Sequence, residues 1–495
     1  MEFSKAVFVS GVYAPLACAA VIAIGGGLFG RRSAKAVALA GFAAALFSAL
    51  WSSGRMLAGF EVSAATAWFG DFSLGGVSSV MYSLAGIVGF SAGLWAVFGP
   101  GVERIKAYLA LLLFMQGGLM GMFASENILW MYAFHEFALV PTFIAMCVWG
   151  GENKRAAAME MAVYLTLGAL IALAGIIALS YAFSGGGLFN LSDLSEAVSA
   201  SSAPAGRTSA IFGITAVGLG ALVSLFPLHS WAPKAYTAAP TPFAMLHAGV
   251  LKKFGLYFMV QVLVPLAASG AAEWLWTVAM LALVNVIGIG LVTMAQGSLK
   301  SMVSYSSVSH MGLCFLGICT MGVLGAGGAV LIMFGHGLSV AALFIFADII
   351  KGRFGTDDMR ALGGAYRKMP VCAALFVAAV LANIGLPGFA NFWGELSVFV
   401  SLWTFSPAVC ALAVSGIVIS AVYGLRAVAC VFYGPESPAV EASGAGDISF
   451  RERLPVVVLL AALMAVGFCP KLATSGIDAD LSNIPAFAGA VSVSK

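Results

Sequence analysis

The chain has 495 residues, of which 61% are hydrophobic and 9% charged, with a formal charge of +3 and a mean hydropathy of +1.01. That composition lies far outside the soluble globular range and marks an all-α polytopic membrane protein; the small charge and the lack of a long basic run exclude a nucleic-acid partner. The eight cysteines are scattered through apolar runs with no CxxC pair and no Cys/His cluster, so they read as packing residues, and no metal, iron–sulfur or other cofactor site is expected.

Runs of about 20 apolar residues give roughly fourteen expected spans. They lie near 9–29, 34–51, 77–98, 107–123, 127–149, 157–183, 208–226 (continuing broken to about 241), 243–266, 275–294, 300–319, 322–349, 370–403, 407–432 and 453–472. The N-terminus has no basic stretch followed by a small-residue cleavage site, so the first run is expected to stay as a helix. Two spans are interrupted. In LFPLHSWAPKAYTAAPTPFAMLHAGVLKKFGLY (225–257), prolines, two histidines and three lysines sit inside an apolar stretch; in ANIGLPGFANFWGELSVF (382–399), Gly385, Pro387 and Gly388 precede Glu395. Paired interrupted helices point to a transport pathway near the bilayer midplane. The polar stretches 52–76, 184–207, 350–369 and 433–452 read as loops.

Cytoplasmic loops hold an excess of Lys and Arg. Of 24 such residues, 15 fall after odd-numbered spans, and only Arg55 and Arg207 fall in the opposite loops. Both termini are therefore expected on the non-cytoplasmic side of an inner (cytoplasmic) membrane.

All five histidines (His135, His229, His247, His310, His336) fall within expected spans, with Glu136, Lys234, Lys252, Lys253, Asp348 and Glu395. Ionisable groups inside a membrane are costly and suit a proton relay, the alternative being polar groups that only hold helices together. Glu136, one turn before Pro141, is expected mid-span and in need of a cation or a hydrogen-bond network. Its neighbour His135 would point about 100° away on the helix. Lys252 and Lys253 would diverge in the same way, one as a relay residue and the other as a helper or snorkelling to the surface. Lys234 reads as the end of the break. Ser304, Ser306, Ser307 and Ser309 around His310 could hold ordered water, and Gly335 and Gly337 beside His336 allow close helix approach.

QGSLKSMVSYSSVSHMGL (296–313), MFGHGLSVAALFIF (333–346), DMRALGGAYRKMP (358–370), LPGFANFWGE (386–395) and FHEFALVPT (134–142) resemble the antiporter-like subunits of respiratory complex I, of subunit M (mitochondrial subunit 4) type. That family is similar to Mrp-type cation/proton antiporter subunits and has relatives in membrane-bound hydrogenases. The resemblance implies fourteen helices with two inverted five-helix repeats, broken at helices 7 and 12. The units would be 1–103 (helices 1–3), 104–268 (helices 4–8), 269–432 (helices 9–13) and 433–495. It further implies a non-redox, proton-translocating subunit of an NADH-quinone oxidoreductase, with other membrane subunits, the bilayer, and protons or Na⁺ as partners. Glu136, Lys253, His310, His336 and Glu395 match the family's proton-transfer residues; Lys252, His247 and His229 are further relay candidates. The family's helix-7 lysine is absent, its place taken by Leu222. The first half-channel is therefore expected to have a changed or lost gate, leaving a Mrp-type antiporter, a hydrogenase subunit or a structural subunit as alternatives.

Overall fold

The computed structural model describes residues 2–25, 30–66, 68–200, 205–444 and 446–488. Residues 1 and 489–495, at which the side of the membrane was expected for the termini, lie outside them. Among the described residues, twelve helices are long and apolar enough to cross a membrane, from Glu2–Ile24 to Pro407–Phe432. Phe450–Phe468 and Lys471–Ser482, bent by 65° at the break between them, are together long and apolar enough to count as a thirteenth. The remaining expected span, the twelfth, divides into Pro370–Ile384 and Ala390–Phe405, neither long enough alone. We number the spans 1 to 14 in chain order.

Polar sequence between spans turned out more ordered than the loops expected. Within 52–76, span 2 runs on to Leu57, and Val62–Ala65 (β1) pairs antiparallel with Asp71–Leu74 (β2). Alternation buries Phe72 and Leu74 on one face of this ribbon. Leu191–Ala200 and Pro438–Ala442 are short surface helices.

Burial is graded across the bundle, and that grading decides where chemistry can sit. Spans 3, 8, 10 and 11 are almost wholly enclosed, whereas spans 1, 2, 6 and 13 bury well under half of their apolar window. Span 8 crosses span 11 at Gly337, whose missing side chain lets the Gly249 carbonyl approach to 2.5 Å from where a Cβ would stand. The polar residues of spans 8, 10 and 11 are thereby pressed together in the protein interior.

Candidate functional site

Span 7 ends its first half, Ala205–Val223, at Ser224, and resumes as Trp231–Ala238. The turn between them is pinned by Asn285 of span 9, whose Oδ1 accepts from Phe226 N (2.8 Å) and whose Nδ2 donates to Ser224 O (3.0 Å). His229 lies in this turn rather than in a helix, and its ring stacks on Phe226 at 5.6 Å. Lys234 sits inside the second half-helix, not at its edge, and is exposed; its Nζ lies 2.8 Å from Glu160 of span 6.

Span 8 is interrupted as well. Thr241–Gly249 gives way to a 3-10 turn at Leu251–Lys253, so the two lysines are separated by the 3-10 angle, about 120°. Neither snorkels: Lys252 is 2% and Lys253 0% exposed. Lys253 donates to Ala248 O at 2.5 Å, capping the first half of its own helix. Lys252 reaches the other way, to Ser307 O of span 10 at 3.3 Å, and its ammonium lies 5.5 Å from the Tyr236 ring. His247 packs against the same tyrosine at 5.3 Å. Tyr236 thus stands between His247 and Lys252.

On span 10, Ser304, Ser306 and Ser309 donate to backbone carbonyls (Lys300, Val303 and Val286), so their hydroxyl protons are committed to packing rather than to water. Ser307 differs, its Oγ lying 3.2 Å from His336 Nε2. His336 stacks on His310, with ring centres 4.8 Å apart and planes 13° from parallel. Both His310 nitrogens face carbonyls, Ser306 O and Asn383 O, each at 2.9 Å. Asn383 closes the first half of span 12, and Gly385 turns the chain in the left-handed region (φ +84°) that favours glycine. The Glu395 carboxylate folds back against that glycine; with His310 and Ser420 it lines a cavity of about 10 Å³, room for one water.

Glu136 departs from expectation. Its side chain is 32% exposed, on the lateral surface of span 5, and its Oε1 lies 3.1 Å from Nδ1 of the adjacent His135. The helical angle between neighbours did not keep the pair apart, because two flexible side chains can bend towards each other. His135 then turns its ring face inward, stacking on Phe254 at 4.5 Å. Leu222, where the resemblance implied a lysine, is buried.

Three contributors, Asn285, Asn383 and Asn391, were missed from sequence, and a fourth, Asp348, was underweighted. Asn285 and Asn383 are single polar residues in apolar runs, which was the available signal. Asp348, counted only as an intramembrane charge, accepts from Trp95 Nε1 at 2.8 Å and ties span 11 to span 3. Asn391, at 0% exposure, has no hydrogen-bond partner among the described residues for either side-chain polar atom.

Two interrupted helices flank an enclosed set of Lys, His and Glu side chains in a polytopic membrane protein, the arrangement expected where ionisable groups are kept inside a membrane for a purpose. The comparisons give the family. Residues 125–420 match the profile of the NADH:quinone oxidoreductase/Mrp antiporter transmembrane family, and the chain belongs to that family. It is 33% identical over 384 residues to an NAD(P)H-quinone oxidoreductase chain 4 of a Synechococcus strain, covering 76% of this chain and 72% of that one. It is also 31% identical to the NADH-quinone oxidoreductase subunit M of Rickettsia bellii, covering 74% of each. A chain of Thermus thermophilus respiratory complex I superposes with a TM-score of 0.86 at 25% identity, over 97% of this chain and 98% of that one.

Proposed function

We propose that this chain is the proton-translocating, antiporter-like membrane subunit of a complex I-type NADH-quinone oxidoreductase. It carries no redox step itself; electron transfer in partner subunits drives it, and other membrane subunits flank it. The observation that carries this reading is the succession of ionisable side chains through the enclosed spans. Glu136 and His135 stand apart at the lateral surface of span 5; within the enclosed spans His247 and Lys252 flank Tyr236, Lys252 reaches Ser307 O, Ser307 Oγ meets His336, His336 stacks on His310, and His310 shares a cavity with Glu395.

The Lys/Arg asymmetry orients the chain with both termini on the non-cytoplasmic side of the inner membrane. In that orientation a cavity of about 670 Å³ opens to the cytoplasm, lined among others by Trp95, Lys300, Asp348, Lys351 and Asp357. Below it, Lys300, Ser304 and Ser307 share one face of span 10 at helical spacing and descend to Lys252 and His336. This supports uptake from the cytoplasm into the second half of the relay. Leu222 leaves the first half without its family lysine, and Glu136 meets His135 instead.

Glu395→Gln tests the reading, since it preserves shape but removes the exchangeable proton. In the purified complex, reconstituted into vesicles, the variant is expected to assemble with all its partner chains and to lose proton translocation. Full pumping by an assembled Glu395→Gln complex would take Glu395 out of the path, and pumping that requires Na⁺ would favour the cation/proton antiport reading.

A further inference from the structure

Spans 2, 3, 11 and 14 leave a groove of about 710 Å³ between them, closed at one end by the helix Lys471–Ser482, which bends over it from span 14. Its floor follows one face of span 3 from Gly76 through Val80 to Ile87, a rise of about 16 Å. Phe334 lies at the same depth on span 11, counted from its start at Val323. That depth matches one leaflet, since half of a hydrocarbon core of about 30 Å is about 15 Å. Small residues make the space: Gly54 on span 2 and Ala462 and Ala465 on span 14 line the walls, and Gly76 lets the Gly476 carbonyl pack close across the top. Leu50 and Leu57 of span 2 and Leu472 form an exposed apolar lip, so the groove opens sideways to lipid rather than to water.

The groove is apolar along its depth and polar at one end. Ser53 and Ser83 bond to each other at 2.5 Å and Ser79 donates to Gly76 O at 2.9 Å, so the hydroxyls along the wall are already engaged. At the mouth, Asp480 accepts from Val77 N (3.0 Å) and from Gln261 Nε2 (3.3 Å), both on Oδ2. Its Oδ1 is left to another donor, and among the described residues no Lys, Arg or His pairs with this carboxylate. Asn483, exposed at the same mouth, carries an amide that can donate.

We propose that this groove binds one glycerophospholipid with a primary-amine headgroup, its acyl chains lying along span 3 and its ammonium on Asp480 Oδ1. The length sets the class of occupant, because an apolar channel one leaflet deep with its polar groups at one end matches a lipid in its own leaflet. Width argues against a partner helix: spread over its length, the volume gives a mean cross-section of about 45 Å², whereas a helix 10–12 Å across fills roughly 80 Å² or more. Charge sets the headgroup. An amine supplies the cation that Asp480 lacks, and the neighbouring phosphate takes the Asn483 amide as donor; an anionic headgroup without an amine would set its charge against the carboxylate. In the orientation proposed above, the lipid belongs to the non-cytoplasmic leaflet. The site itself rests neither on that orientation nor on the relay.

Phosphatidylethanolamine with a photoreactive group midway along one acyl chain, incorporated with the purified complex into nanodiscs, tests the site. Labelling is expected on the peptides that hold Val80, Ile87 and Phe334, and phosphatidylglycerol with the same chains is expected to label them about fivefold less. Equal labelling by the two lipids in the native protein would overturn the contact between the ammonium and Asp480. Asp480→Asn keeps an acceptor for Val77 N and is expected to abolish the preference between the lipids; a preference that survives it would likewise remove Asp480 from the site. Ala462→Phe fills the groove from a half-buried wall position and is expected to cut labelling by about tenfold, with the partner chains still bound. Native labelling in that variant would overturn the groove as the place where the lipid sits. A photoreactive residue at position 57 that captures a partner chain in place of lipid would show a protein occupant and overturn the proposal. None of these readouts involves pumping.

Discussion

Asn285 offers a direct test of how span 7 is held open. Replacing it with leucine keeps the branching of the side chain but removes the acceptor for Phe226 N and the donor for Ser224 O, two backbone groups that the break has taken out of the helical ladder. Its third contact, to Val308 O at 3.3 Å, matters less, because a mid-helix carbonyl retains its own i+4 amide. Two net hydrogen bonds at about 1 kcal/mol each give a loss near 2 kcal/mol, falling towards about 1 kcal/mol because polar contacts inside membranes measure weaker. That corresponds to a roughly 5- to 30-fold rise in the population of the opened turn. Hydrogen exchange of the purified complex, followed by mass spectrometry across 222–230, reads this directly. Asn285→Asp keeps the acceptor for Phe226 N and is expected to fall between native and Asn285→Leu. Equal exchange in native and Asn285→Leu protein would refute the assignment of Asn285 as the pin, leaving the prolines to impose the break alone.

Gly337→Leu places a side chain against the Gly249 carbonyl and the Leu84 side chain, and overpacking of this kind costs about 1–3 kcal/mol. The expected result is a lower thermal midpoint in detergent with the partner chains still bound; an unchanged midpoint would mean that spans 8 and 11 can separate freely. Tags at residues 1 and 495 are expected to be accessible only from the non-cytoplasmic side, and labelling of either from the cytoplasm would reverse the orientation of the uptake cavity.

Hydropathy alone located the spans, because a helix that crosses lipid must satisfy its backbone internally and present about 20 apolar residues. Proline and glycine marked both interruptions, since Pro227 and Pro387 remove a donor wherever they fall. The family was likewise legible, carried by motifs such as SYSSVSHMGL and LPGFANFWGE whose residues are contiguous in the chain. What the sequence could not fix was which polar groups meet. An ideal helix would separate Lys252 from Lys253 by about 100°, but the 3-10 turn at Leu251–Lys253 sends one to Ala248 and the other to Ser307. π-helical segments at Met259–Leu263 and Val284–Ile289 shift the helical phase again, the second presenting Asn285 to span 7. Glu136, one more intramembrane carboxylate by sequence, proved to be on the lateral surface because burial depends on which neighbours cover a helix face, and span 5 has one face uncovered. Local sequence sets where the backbone can bend; the packing of distant spans decides which side chain the bend delivers to which partner.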